Sequence, residues 1–444
     1  MTMGNETALR SGIATLLADR DFARIWGAGA LFSVVRWLET LAVGIFVIDL
    51  TGSPTTVAVV GAMRMLPMLL LGALAGSLAD RTSRRTMLIA VAALSGLFSL
   101  LLGLLAWLDA VAVWQVAVGS FVTGILWAID LPVRRTILAD IAGPTRMSAA
   151  MGLESAVSNV TRLVGVGLGG LLVGTVGVEG AYLLGAAMYA VAIVLTAGSR
   201  HKEMPSSSLR CNIMADTVGG IRSIGADRFL AAVLIATIIF NFFGFAYTAM
   251  VPVVGRELLQ ADAFAIGLLS STEAAASLFV SLIYATLSTR RWLGPAYLFS
   301  ILILMGGILV FALSSNYWLS IGVMVVTGAA TGCFSVTQSM LVLLASPPAL
   351  QARAMGVLAI CIGLCPLGML HLGWLAEWLG TSAAIIISAI EGAVAVVAVM
   401  VLCPRLLKPD LPNQEEGRGA SPSGAPVSRF EASSKKAAPR DEGG

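Results

Sequence analysis

Gly76-Ser-Leu-Ala-Asp80-Arg-Thr-Ser-Arg84-Arg85 separates two long apolar runs, Val57 to Leu78 and Met87 to Leu108. Only 12% of the residues in this chain are charged. Asp80, Arg81, Arg84 and Arg85 gathered in one short segment therefore mark a place where the chain meets water. The segment is too short to hold a domain, so the flanking runs are read as antiparallel helical neighbours joined by a tight polar loop.

The rest of the sequence repeats that pattern. Across 444 residues, 57% are hydrophobic and the mean hydropathy is +0.90, well above the roughly 45–50% apolar content of a soluble protein. The apolar runs are each long enough to cross about 30 Å of hydrocarbon as a helix, whereas a membrane barrel would show alternating segments of about 10 residues. The expected fold is an all-α polytopic membrane protein. Six helices are placed near 25–48, 56–78, 87–108, 112–133, 152–176 and 179–198. After a polar stretch, six more are placed near 229–254, 265–288, 292–313, 317–345, 354–377 and 381–403. The implied domains are an N-terminal segment 1–24, a six-helix bundle 25–198, a linker 199–228, a second bundle 229–403 and a tail 404–444 rich in Pro, Gly, Ser, Lys and Glu, expected to be disordered.

The arginines set the orientation. Arg10, Arg20 and Arg24, the Arg81–Arg85 group, Arg134, Arg135 and Arg146, the linker cations, Arg290, Arg291, Arg353 and the tail fall on one side, against Arg256 alone on the other. Basic loops stay in the cytoplasm, so both termini and the linker are expected there. The five cysteines have no metal-ligand spacing. Only two histidines are present, with neither a nucleophile elbow nor a phosphate-binding Gly-x-x-x-x-Gly-Lys-Ser/Thr loop. Neither an enzyme nor a cofactor, metal or nucleic-acid partner is expected.

Two six-helix halves joined by a linker resemble the major facilitator superfamily. The opening stretch is similar to that family's loop signature, Gly-x-Leu-Ala-Asp-Arg-x-Gly-Arg-Arg, with Ser83 in place of the second glycine. The resemblance implies that Gly76, Asp80, Arg81, Arg84 and Arg85 form a cytoplasmic gate, in which Asp80 and Arg84 bridge the halves. Leu50-Thr-Gly-Ser-Pro54, Pro132-x-Arg-Arg135, Asn159-x-x-Arg162-x-x-Gly165 and Gln351-Ala-Arg-Ala-Met-Gly356 look like the bacterial branch holding the enterobactin exporter and macrolide-efflux-like proteins. That branch implies an inner-membrane carrier, expected to be a monomer, that exports a drug, siderophore or metabolite in exchange for protons. An uptake symporter or a non-transporting assembly factor of the same fold are the alternatives. The chain departs from many proton-coupled relatives at Ser120, where they carry arginine, and in helix 5, where a proline is missing between the glycines.

Charges inside apolar helices need partners or water, since each costs about 2.5–3.5 kcal/mol at mid-bilayer. Arg36 and Glu39 share a face of helix 1 at i,i+3 spacing, giving either a structural ion pair or a proton-coupling carboxylate released when Arg36 withdraws. Glu273 is the second coupling candidate. Arg64 and Arg162 are expected on a central cavity, drawing in an anion or tethering Glu39, together with Asn159, Asn241, Phe243 and Gln338. Glu154, Asn159 and Arg162 read as one polar stripe on helix 5. Asp130 is assigned either to the cytoplasmic gate with Arg134 or Arg135 or to solvent, and Glu391 is expected to have a structural partner.

Overall fold

A computed structural model describes residues 15–79, 83–199, 227–287, 292–346 and 350–408. Twelve helices run through them: α1 Arg20–Thr51, α2 Pro54–Ala79, α3 Arg84–Trp107, α4 Val113–Gly143, α5 Ala149–Thr175, α6 Val178–Gly198, α7 Arg228–Glu257, α8 Ala263–Leu287, α9 Leu293–Leu313, α10 Tyr317–Ala345, α11 in two pieces, Gln351–Ile362 and Cys365–Leu379, and α12 Thr381–Leu402. Eleven of them are long and apolar enough to cross a membrane. The remaining one, α2, is apolar through Pro54–Leu70 and helical to Ala79. This is the all-α polytopic fold in two six-helix halves expected from the sequence.

Helix starts follow the local chemistry. Asp19 caps α1 by accepting from the backbone N–H groups of Asp21 and Phe22 at 2.9 and 3.2 Å, and Asp227 and Asn316 cap α7 and α10 in the same way. Between α4 and α5 the helical run is broken at Gly143, whose φ of 68° and ψ of 173° a side chain would not tolerate. The structure corrects one reading here. The fourth helix was expected to stop near 133, with Arg134 and Arg135 in the loop. It continues ten residues further because Arg134 is buried and its charge is met inside the protein, by Asp130 and Glu154.

Two helices are irregular at mid-length. Within α7, Phe240–Gly244 forms a π-helical turn and Phe245–Met250 a 3₁₀ stretch. In α11, the break at Gly363-Leu364 is followed by Pro366, which has no N–H to continue the ladder. The two irregularities pack on each other. A side chain on Gly368 would overlap the carbonyl oxygen of Phe242, so only glycine admits the π turn so closely.

The halves meet along α5 against α8 and along α2 against α11. The face carrying both ends of the helical body is termed the terminal face, and its opposite the distal face. The closest approaches lie toward the distal ends. A Cβ on Gly170 would sit 2.5 Å from the Cα of Gly267, one on Gly373 would sit 2.4 Å from the Cβ of Ala58, and one on Gly44 would sit 2.8 Å from Pro252. Small residues let these backbones touch, and the molecule is closed at its distal face. Helices α3, α6, α9 and α12 lie outside, presenting Leu97, Leu104, Val191, Val194, Phe299, Val310, Val394 and Val401 on the surface. In lipid such apolar exposure carries no penalty.

Candidate functional site

Among the described residues, the space between the halves is lined by the other eight helices, and it falls into two compartments. The larger, about 270 Å³, lies toward the terminal face, with Trp127, Asn159, Phe240, Asn241, Phe334 and Gln338 among its walls. The smaller, about 90 Å³, lies toward the distal face, between Thr40, Arg64, Ser120, Tyr247 and Glu273. Trp37, Met65 and Arg162 line both and so form the waist.

At that waist Arg162 of α5 pairs with Glu273 of α8, an ion pair that joins the two halves. Its side chains are 14% and 7% exposed, so water screens it little. The Arg162 guanidinium also lies 5.2 Å from the Trp37 ring centroid. The two residues come from sequence positions 111 apart, and the fold brings together the cation and the carboxylate that the sequence had nominated separately.

Glu39 has a different partner from the one its spacing suggested. It is 1% exposed and accepts from Arg64 Nη2 at 3.0 Å and from Ser99 Oγ at 2.6 Å. Arg36 points elsewhere, donating to Ser33 Oγ at 2.7 Å, with its guanidinium 4.9 Å from the Trp127 ring and 5.9 Å from Trp37. The i,i+3 geometry permits a pair, but three other helices supply better ones. Of the two roles open to Arg64, tethering Glu39 is the one seen. Ser99 gave no signal in the sequence beyond its i,i+4 relation to Ser95 in an otherwise apolar helix.

The polar side chains expected on the cavity divide. Asn159 lines the larger compartment and donates to the Ser155 carbonyl at 3.0 Å. Asn241 donates to the Thr237 carbonyl at 2.9 Å, and Gln338 to Thr237 Oγ1 at 3.1 Å. Phe243 does not join them. It turns to α12, where the Cβ of a substituted Gly392 would meet it at 2.8 Å, and its ring lies edge-on to His371. Phe240, stacked on Phe334 at 3.5 Å between centroids, and Phe245 line the cavity instead. Across the π turn the outer two aromatics of the run, Phe240 and Phe245, face the cavity, while Phe242 and Phe243 both pack against His371. Glu391, as expected, has a partner, His371 Nε2 at 2.9 Å.

Glu154 leaves the expected stripe on α5 and turns into the N-terminal half. It accepts from Arg134 Nη1 at 2.5 Å, while Asp130 takes the other edge of the guanidinium at 2.8 and 3.1 Å. Of the loop signature, Asp80 and Arg81 lie outside the described residues and Gly76 belongs to the helical end of α2. Arg84 bonds Asp140 of α4 at 2.8 Å, and Arg85 reaches the Ala197 carbonyl, both within the N-terminal half. Among the described residues no cluster of His, Cys, Asp and Glu could hold a metal.

Comparisons with known proteins agree with this architecture. The chain is 23% identical over 229 residues to the staphyloferrin A transporter of Staphylococcus aureus, covering 50% of this chain and 56% of that protein. It is 25% identical over 187 residues, 42% of each, to the MFS-type transporter YfiS of Bacillus subtilis. The chain thus aligns with about half the length of these curated relatives. Among solved structures, a POT family transporter in complex with 5-aminolevulinic acid superposes with a TM-score of 0.69 at 15% identity, over 86% of this chain and 97% of that one. A bacterial homologue of the lysosomal transporter Spinster, inward-facing and unoccupied, gives 0.65 at 15%, over 87% and 96%. The nucleoside transporter NupG gives 0.65 at 17%, over 86% and 99%. At these identities the structural likenesses establish the fold. Residues 11–418 match the profile of the transmembrane secretion effector family, and the chain therefore belongs to that family of the major facilitator superfamily, as a multi-pass membrane protein.

Proposed function

We propose that this transporter exports a small organic molecule across a bacterial inner membrane by alternating access, in exchange for protons, with its terminal face in the cytoplasm. The observation that carries the reading is the Arg162–Glu273 pair at the waist of a cavity closed at the distal face. The arginine-rich loops of the terminal side support the orientation.

The pair supplies a coupling device from ordinary electrostatics. A carboxylate that faces a guanidinium stays ionised, and one separated from it among apolar atoms takes up a proton. Closing the distal face brings α5 and α8 together and expels a proton from Glu273 toward the cytoplasm. Opening that face separates them, and Glu273 is protonated from outside. Protons then move inward once per cycle, and cargo taken from the cytoplasmic compartment leaves when the distal face opens. Alternating access rocks one half against the other about such a midplane site. Glu39, held by Arg64 and Ser99 within one half, keeps its partners through that motion and has a structural role.

The test is proton release by purified protein in liposomes on adding staphyloferrin A and a panel of amphipathic drugs, with Glu273→Gln and Glu39→Gln beside the wild type. Release that vanishes in Glu273→Gln and persists in Glu39→Gln supports the scheme. Release that persists in Glu273→Gln removes the coupling site from α8, and proton movement in the same direction as cargo makes the protein a symporter.

A further inference from the structure

The cavity shell holds hydrogen-bonding capacity that no protein group uses, and it is all of one kind. The indole Nε1 of Trp37, Nη1 of Arg64 and Nε of Arg36 are buried donors without a partner. Trp37 lines both compartments and Arg64, 4% exposed, lines the distal one. Among the described lining residues no buried side-chain acceptor is left over in the same way. The contacts of the charged groups point in the same direction. Around the waist Arg64 is matched by Glu39 and Arg162 by Glu273, while Arg36 touches a hydroxyl and two indole rings but no carboxylate. Asp130, the next acid along, has both oxygens on Arg134, which Glu154 also holds, so acids and arginines balance in number here while the donors of Arg36 go without a carboxylate in contact.

An arginine with no carboxylate in contact, beside buried donors that lack acceptors, is costly while the site is empty and favourable once an acceptor-rich anion enters. A cationic cargo would bring further donors to a site short of acceptors, and a neutral one would offer weaker acceptors than a carboxylate does. From this we infer that the cargo is an organic anion of the carboxylate class. Its charged group seats at the waist toward Trp37 and Arg64, within the field of Arg36, and its apolar body extends into the larger compartment along Met68, Trp127, Phe240 and Phe334. The inference rests on the transporter reading for the word cargo, but the anion preference is a property of the site alone.

The test uses the purified full-length protein in nanodiscs, titrated calorimetrically with three compounds of one shape: 4-phenylbutyrate, 4-phenylbutanol and 4-phenylbutylammonium. Fragments of this size bind in the millimolar range. The butyrate is expected to bind at least about tenfold more tightly than either partner, Arg36→Gln to erase that preference, and Arg36→Lys, which keeps the charge and loses the planar fork, to retain part of it. Equal affinities, preference for the ammonium compound, or no butyrate binding at millimolar concentration overturn the inference from the wild type alone, whatever the variants do. Anion binding without proton exchange upholds it and removes the coupling scheme. Proton exchange driven by ammonium compounds, with no anion binding, upholds the scheme and removes the inference.

Discussion

Arg162 and Glu273 cross from one half of the molecule to the other at the cavity waist, almost out of reach of water. A second pair, Arg256 of α7 with Asp49 of α1, crosses at the distal face at 2.6 Å, with side chains 30% and 43% exposed. The two contacts link the same halves and differ in solvation. Solvation decides how much each contributes to the closed state.

Replacing Glu273 by Gln leaves the Arg162 charge buried without its counterion. Removing one partner of a buried pair costs about 3–5 kcal/mol, and here that cost falls on the distal-closed conformer. A cysteine introduced at Ala58, in the distal contact with Gly373, is expected to become reactive toward a membrane-impermeant maleimide in Glu273→Gln. The double reversal, Arg162→Glu with Glu273→Arg, is expected to restore protection. Unchanged protection in the single variant would show that the pair does not hold the halves together.

Asp49→Asn removes the exposed pair, and exposed pairs contribute about 0.2–1 kcal/mol. The maleimide reactivity at Ala58→Cys is therefore expected to change only slightly, and the change to fade as salt rises toward about 1 M, where the Debye length falls to about 3 Å. An effect as large as that of Glu273→Gln, or one indifferent to salt, would mean that this contact is more shielded than its exposure implies.

Much of the architecture was legible because lipid restricts the choices. Long apolar runs become helices, and the arginine-rich segments between them become ends. The partners of charged residues were less legible. Arg36 and Glu39 are neighbours in sequence, yet Glu39 bonds Arg64 and Ser99, because pairing inside the membrane is settled by which helices pack and not by spacing on one helix. Arg134 looked like a loop cation for the same reason. The π turn of α7 depends on contact with Gly368, 124 to 128 residues away, so the run Phe240–Phe245 alone could not show that Phe243 faces α12 while Phe240 and Phe245 face the cavity.

The burial of Arg134 depends on a glycine in another helix. A Cβ at position 29 would lie 2.3–2.4 Å from the Arg134 guanidinium, which is fixed on both edges by Asp130 and Glu154 and has no room to swing aside. Gly29→Ala is expected to break at least one of those bonds and to lower stability by about 3 kcal/mol or more, as loss of a buried ionic contact does. Thermal unfolding of the purified protein reads this directly. Stability within about 0.5 kcal/mol of wild type would show that the cluster shifts without losing its contacts.

Closure at the distal face depends on backbones touching. The Cα of Gly267 lies 2.5 Å from where a Cβ on Gly170 would be, and the carbonyl oxygen of Ala263 lies 2.8 Å from it. Both are main-chain atoms of α8 and cannot rotate away as a side chain would. Gly170→Ala therefore opposes the closed conformer, while α5 gains helix propensity of about 1 kcal/mol. The expected result is a protein that inserts and purifies normally, unfolds at a temperature no lower than wild type, transports at a small fraction of the wild-type rate, and shows high maleimide reactivity at Ala58→Cys. Normal transport by Gly170→Ala would mean that α5 and α8 close the distal face with more clearance than this packing leaves them.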